Sequence, residues 1–366
     1  MRQQLLLCWA SILALAVLPS ESVLSSGCGK SLPDDFSSGQ TTSMEVPAMN
    51  GQPVRHYKVH LSANYQNDRG HAIVFSFHGH NGNMAKQEDL SQLSLKGVLI
   101  NGARIIAVYP KGKEGTDGQS AWQGAPYSAP SVLINGAGII AVYPKGKEGT
   151  DGQSAWQGAP YSAPGVDDIA FVNTMIATLQ STFCVDSSRI YATGKSNGAG
   201  FVNLLACTPS IASKIAAFAT VSAAFYTGTF NGDRPTQRAL PILDFHGTAD
   251  TVVSYNGGQS HGGTQVSIDN FRQGWASRND CQNKSTISHL SAETDPQQLV
   301  EIQTWNTNCK TGGIVIGYKI TAGQHSWPRT TLPAKCNGNV GTNDCTTTVF
   351  DATSSFIIPF FNTYTL

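Results

Sequence analysis

Residues 189–200 read RIYATGKSNGAG. Ile190 and Tyr191 form a short apolar run, then come Gly194-Lys195-Ser196-Asn197-Gly198, and Phe201, Val202, Leu204 and Leu205 follow at spacings that suit one buried helix face. Strand, sharp turn and helix in this order lift a serine hydroxyl above a sheet, and flanking glycines let the backbone pass close on both sides. Ser196 is therefore the candidate nucleophile. The fold class implied is α/β, an α/β-hydrolase with a mainly parallel sheet and helices on both faces. The bland alternative is a tight turn that carries a hydroxyl by chance. The pentapeptide Gly258-Gln259-Ser260-His261-Gly262 also satisfies G-x-S-x-G, but no strand leads into it, so it reads as a flexible loop.

A serine nucleophile needs a base, a carboxylate to orient that base, and donors for the oxyanion. Residues 240–245, LPILDF, are an interior strand candidate running into His246-Gly247-Thr248-Ala249-Asp250. Asp250 stands in the turn past the strand end, where the carboxylate belongs. Asp244 is the competitor inside the strand, and His246 is assigned to hydrogen bonding within the turn. Residues 313–320 are a later strand candidate and lead into GQHSWP, so His325 follows Ser196 and Asp250 in the chain order this fold uses. A surface-loop histidine packed on Trp327 is the alternative. Residues 72–77 are a continuous apolar run ending in the glycine-rich turn FHGHNGN. The backbone N–H of His80 and that of Asn197 are the expected oxyanion donors, with plain turn residues as the alternative for His78 and His80.

The chain has 366 residues, enough to bury a substantial core, and its 24 Lys and Arg balance its 24 Asp and Glu. With no basic run, nucleic acid is not an expected partner. Residues 1–22 read as a secretory signal peptide: Arg2, an apolar stretch over 5–18, then small and polar residues, with cleavage between about Ser20 and Ser26. No later stretch reaches about 18 consecutive apolar residues, so no membrane association is expected and the product is a secreted, extracellular protein. Of eight cysteines, removal of Cys8 leaves seven, so disulfides are expected with one thiol left over. Proximity suggests Cys336 with Cys345 and Cys281 with Cys309. No CxxC or HxxxH spacing suggests a metal, and Asn283-Lys284-Ser285 is a glycosylation sequon.

Residues 98–130 and 132–164 are the same 33-residue segment, differing only at Arg104 and Gly138. Two copies do not make a solenoid, which needs about three repeats to stack a core. Each copy carries one buried-strand candidate, IIAVYP, and one sheet has one place for it. The second copy is the expected working one because it runs without interruption into the next helix, which begins at Asp167 and Asp168 with apolar residues in steps of three and four. Residues 28–366 are expected to form a single catalytic domain containing the duplication.

Taken in order, GCGKSLP at Gly27, FHGHNGN at Phe77, AVYPKG, WQGAPYSAPGVDDIAF, ATGKSNGAGF, LPILDFHGTADTVVSYNGG and GQHSWP resemble secreted fungal feruloyl esterases. Their wider group also holds acetyl xylan esterases and polyhydroxybutyrate depolymerases. The resemblance implies an α/β-hydrolase that releases hydroxycinnamic acids from feruloylated arabinoxylan or related plant cell-wall polysaccharide, without a cofactor. It puts the family's triad on Ser196, Asp250 and His325. It also brings the WQGAPYS segment near the active site, making Trp156, or its twin Trp122, a candidate wall for the aromatic acyl group or else a core anchor. The duplication departs from the family pattern, and so, mildly, does Ala199 after the nucleophile. An inactive wall-binding homologue is the alternative from a different class.

Overall fold

The computed structural model describes residues 22–95, 139–229, 238–282, 284–290, 299–333, 336, 338, 341 and 343–366, together with short strand pieces at 99–100, 102–104, 106–107 and 136–137. Residues 1–21 of the expected signal peptide, Cys8 among them, lie outside the described residues, as do Trp122, Asn283 and most of the first repeat copy. Among the described residues no helix is long and apolar enough to cross a membrane.

The central sheet is built on strands that are buried end to end. β3 (His71–Phe77) and β7 (Pro241–Gly247) have all seven residues buried, as expected of strands covered on both faces. With β1 (Thr41–Val46), β2 (Arg55–Leu61), β4 (Ile139–Pro144), β5 (Val185–Lys195) and β6 (Ala217–Val221), the sheet order begins β1-β2-β4-β3-β5-β6-β7. The hairpin strands β8 (Gly258–Ser260) and β9 (Gly263–Gln265) stand apart, and β10 (Thr286–Leu290), β11 (Val300–Trp305) and β12 (Ile314–Ile320) complete the sheet as β7-β12-β11-β10. From β4 to β12 the pairings are parallel, whereas β1, β2, β11 and β10 pair antiparallel at the two edges. This strand order is that of an α/β-hydrolase, as expected from the turn at Ser196.

α2 (Asp168–Thr182) starts where the acidic pair predicts, with the Asp167 carboxylate accepting from Ala170 N–H as its N-cap. α2 and α3 (Asn197–Ala206) enclose one apolar layer with Phe77, Trp156 and Phe201. The other face packs Tyr191, Trp327 and the C-terminal helix residues Ile358 and Phe361. The chain crosses from β4 to β5 over β3, so the strand order reverses between β3 and β5, and a crevice opens at their carboxyl ends.

Both repeat copies meet the sheet in the same place. Val142 of β4 pairs with Val59 and Phe75, while Ile106 and Ala107 of the first copy pair with Leu61, His60, Ile73 and Val74. Counting along β4 sets Ile140 opposite Ile73, the position Ile106 also takes, so the two copies share one register. The second copy carries the strand end that continues into the chain's next helix, and its Val142 and Tyr143 are fully buried.

The Cys281–Cys309 and Cys336–Cys345 disulfides are present, a third joins Cys28 to Cys184 across 156 residues, and among the described residues Cys207 is buried outside any disulfide, with Arg278 donating to its Sγ.

Candidate active site

Ser196 sits between β5 and α3 with φ 55° and ψ −121°, a conformation costly for any residue with a side chain. Its surroundings hold it there. Ser196 N–H donates to Val221 O at 3.0 Å, while its carbonyl accepts from Gly200 and Ala224 N–H. The flanking glycines are sterically required: a methyl at Gly198 would lie 2.4 Å from the carbonyl oxygens of Phe77 and His78, and one at Gly194 would lie 2.8 Å from Gly198. Ala199 is fully buried in the core.

The loop after β3 comes closest at a residue the sequence did not single out. A methyl on Gly79 would stand 3.2 Å from Ser196 Cβ and 3.8 Å from its Oγ. The same loop carries His80, whose Nε2 pairs with Asp151 Oδ2 at 2.9 Å and whose ring lies 4.4 Å from that of Tyr161. The first N–H groups of α3, Asn197 foremost, lack intrahelical acceptors by helix geometry and lie beside Ser196. His78 is a structural residue: burial lowers its pKa to about 4, so the ring is neutral. Its Nδ1–H donates to Gly79 O at 2.7 Å and its Nε2 accepts from Gly146 N–H at 3.2 Å.

Asp250 and His325 meet across 75 residues of sequence. His325 Nδ1–H donates to Asp250 Oδ2 at 2.8 Å, which leaves Nε2 as the unprotonated nitrogen of the neutral ring. Asp250 Oδ1 accepts from the N–H groups of Val252 and Val253, and Oδ2 also receives His246 Nε2–H at 3.2 Å. Burial works against the carboxylate, but the hydrogen bonds from His246 and His325 outweigh it, so Asp250 is held well below the usual range and stays ionised. His246 thus supports the turn, its Nε2–H shared with Val253 O at 2.9 Å, although β7 runs on through His246 and Gly247 instead of ending before them. Asp244, the competitor, is spent on a buried ion pair with Arg272 at 2.8 Å.

His325 is displaced downward from the ordinary imidazole value by burial first and by the Lys195 cation second, with Asp250 pulling the other way. Lys195 is itself buried and pairs with Asp344 at 2.5 Å, inside the loop closed by Cys336–Cys345. Nothing in the sequence pointed to Asp344. The His325 loop is fixed from both sides: Ser222 Oγ donates to Ser326 O, and the buried Trp327 donates from Nε1 to Thr353 Oγ1.

Ser196 and His325 line one cavity of about 300 Å³, together with Gly79, His80, Tyr161 and Tyr226. That volume suits one small molecule. Two expectations need correction. Trp156 is 0% exposed, stacks on Phe201 with ring centroids 5.2 Å apart and donates from Nε1 to His78 O, so it anchors the core and cannot wall an acyl group. Its segment reaches the cavity through Tyr161, five residues on. Ser260 is not in an irregular loop but ends β8 of a hairpin, where its hydroxyl meets His261 Nδ1 at 2.8 Å.

Strand order, the turn at Ser196 and the carboxylate-bound imidazole define an α/β-hydrolase, and relatives place the chain among the carboxylic ester hydrolases. No family model matches it. It is 34% identical over 168 residues to feruloyl esterase B of Piromyces equi, a match covering 44% of this chain and 29% of that protein. It is 28% identical over 256 residues to probable feruloyl esterase C of Aspergillus clavatus, covering 68% of this chain and 71% of that protein. A solved ferulic acid esterase from Anaeromyces mucronatus in complex with ferulic acid overlays with a TM-score of 0.47 and 11% identity, over 82% of this chain and 87% of that one. The chain is thus similar in sequence to feruloyl esterases, over 29% of the length of the first of these relatives and 71% of the second.

Proposed function

We propose that this protein is a secreted serine esterase that hydrolyses feruloyl and related hydroxycinnamoyl esters of plant cell-wall polysaccharides through an acyl-enzyme on Ser196. The observation that carries the proposal is the 2.8 Å hydrogen bond to Asp250 from His325, which lines the same cavity as Ser196. Ser196 Oγ attacks the ester carbonyl and His325 Nε2 takes its proton. Asp250 fixes the tautomer and stabilises the imidazolium. The oxyanion is received by backbone N–H groups, with Asn197 and His80 in the loop beside Gly79 as the assigned donors; loss of one such donor is worth about 3–4 kcal/mol. The proton then passes to the departing sugar oxygen, and water repeats the attack to free the acid. The fully buried Asp250, four donors around it, suits this role better than Asp244, whose charge is already neutralised by Arg272.

The test is a side-by-side assay of methyl ferulate, 4-nitrophenyl acetate and hydroxybutyrate oligomers, combined with mass spectrometry of phosphonate-treated protein. Hydrolysis of methyl ferulate, a single adduct on Ser196 and loss of both in Ser196→Ala are expected. An adduct on Ser260 overturns the assignment, and turnover of acetate or hydroxybutyrate alone replaces the substrate class. Asp250→Asn should lower kcat by about 10⁴-fold by permitting the wrong imidazole tautomer.

A further inference from the structure

Two adjacent residues near the C-terminus reach the chain on either side of the reaction. Asp344 Oδ1 pairs with Lys195 Nζ at 2.5 Å, and Lys195 immediately precedes Ser196. Asn343 N–H donates to Gln324 Oε1 at 3.2 Å, and Gln324 immediately precedes His325. Lys195, Ser196, His325, Asn343 and Asp344 all line the same cavity. One short segment therefore grips the neighbour of the nucleophile and the neighbour of the base.

That segment is itself held. Cys345, next to Asp344, is bonded to Cys336, and Gly341 N–H donates to Cys345 O at 2.7 Å. Thr346 Oγ1 donates to Asn343 O at 2.8 Å, and Asn343 takes φ 55°, a left-handed conformation that asparagine adopts more readily than most residues. The Lys195 side chain is 7% exposed, and among the described residues Asp344 is the carboxylate that pairs with it. Asp344 also faces the Arg329 cation. Removing one partner of a buried ion pair strands the other charge at high cost, whereas replacing both by uncharged groups does not. A stranded ammonium at Lys195 is drawn toward water, and it lies one residue from the costly backbone conformation of Ser196.

We propose that Asp344 is a positioning residue for the reaction: by holding the buried ammonium of Lys195 it fixes the turn that presents Ser196, and the Cys336–Cys345 disulfide makes that hold part of the covalent frame. The inference rests on the assignment of Ser196 as nucleophile and adds to it a residue that acts through Lys195. No proton passes through Asp344. A pair that served only to stabilise the C-terminal loop would change Tm and leave the turnover of each folded molecule as it was.

The experiment measures kcat and KM for 4-nitrophenyl acetate and methyl ferulate, counted per Ser196 labelled by a phosphonate, together with Tm. The proteins are the wild type, Asp344→Asn, Lys195→Met/Asp344→Asn and Cys336→Ser/Cys345→Ser, at a pH above the acid limb so that His325 is neutral. Counting labelled sites removes the effect of unfolded protein. Asp344→Asn should lower kcat by about 10- to 100-fold with KM within about threefold of the wild type. Adding Lys195→Met should restore most of that loss, because the stranded charge is gone. Opening the disulfide should lower kcat in the same way as Asp344→Asn. A wild-type kcat in Asp344→Asn or in Cys336→Ser/Cys345→Ser, or a Lys195→Met/Asp344→Asn protein no faster than Asp344→Asn, overturns the role given to Asp344 while the esterase reading stands. If the wild type takes no adduct on Ser196, both fall. Should Asp344→Asn fail to fold, Cys336→Ser/Cys345→Ser decides alone, since it keeps both charges and releases only the loop that carries one of them.

Discussion

At the scale of single residues, the base and its neighbours set where on the pH axis the site works. His325 must be neutral to take the Ser196 proton, so the acid limb of kcat/KM follows its protonation in the free enzyme. Burial and the Lys195 cation push that protonation to lower pH, and Asp250 only partly opposes them. The limb should therefore lie below the ordinary imidazole value of about 6.5, leaving activity in mildly acidic medium. Replacing the buried cation in Lys195→Met removes one of the three downward pushes, burial and His246 being the others, and the limb should move to higher pH. A pH profile of methyl ferulate hydrolysis for both proteins measures this; an unmoved limb in Lys195→Met would show that the cation does not reach the imidazole. The same carboxylate couples to stability. Because the folded-state pKa of Asp250 is depressed, its contribution is present above the unfolded value of about 3.9 and is lost as pH falls through the folded value.

At the scale of elements, what was legible in the chain were segments whose burial is uniform or periodic. β3 and β7 are buried on both faces and read as apolar runs, and α2 announces itself by an acidic N-terminus and its 3.6-residue stripe. The turn at Ser196 was legible because its glycines are forced by contacts within a few residues of it in space. Asp250 and His325 were found by position after strands, which the fold requires, not by any property of their own. The hairpin 258–265 was not legible, since a glycine-rich stretch carries no alternation and its order comes from pairing with Phe225 and Thr227. Trp156 misled because a Trp in a polar, glycine-rich segment looks like a surface binder; its partners Phe77 and Phe201 lie on other elements. Gly79 was one glycine among several in its loop, and only the loop's approach to Ser196 distinguishes it. That approach is testable. Gly79→Ala adds a methyl 3.2 Å from Ser196 Cβ, tighter than ordinary contact, so loop and turn must part by a few tenths of an ångström. Reactive geometry tolerates such displacement poorly, and kcat/KM should fall by about 10- to 100-fold while Tm changes little. Unchanged kinetics in Gly79→Ala would show that the loop can yield without moving the donors.

At the scale of the whole molecule, the duplication tests whether one sheet position governs the fold. Ile106 pairs with Ile73, and the register of β4 puts Ile140 at that same residue, so both copies address one gap between β2 and β3. Only one strand can complete the hydrogen-bond ladder there, because each strand offers a single donor and acceptor row to each neighbour. The second copy is tied to function on its far side: Ala155 and Trp156 enter the core, Asp151 pairs with His80, and Tyr161 walls the cavity. The first copy contributes a longer connection between the helix Met84–Ser91 and β4, and lengthening a connection is cheap, about 0.6 kcal/mol for each doubling. Deleting residues 98–131 joins Gly97 to Val132 and leaves one intact copy of the repeat. The shortened chain should fold with a Tm no lower than that of the full chain and hydrolyse methyl ferulate within about threefold of its rate, since every residue assigned to the site is retained and the loop term is small. A lower Tm would mean that the first copy supplies stabilising contacts of its own. A rise in activity well beyond threefold would mean that the two copies compete for the gap in the full chain, with molecules that seat the first one carrying a displaced Tyr161 and an incomplete cavity.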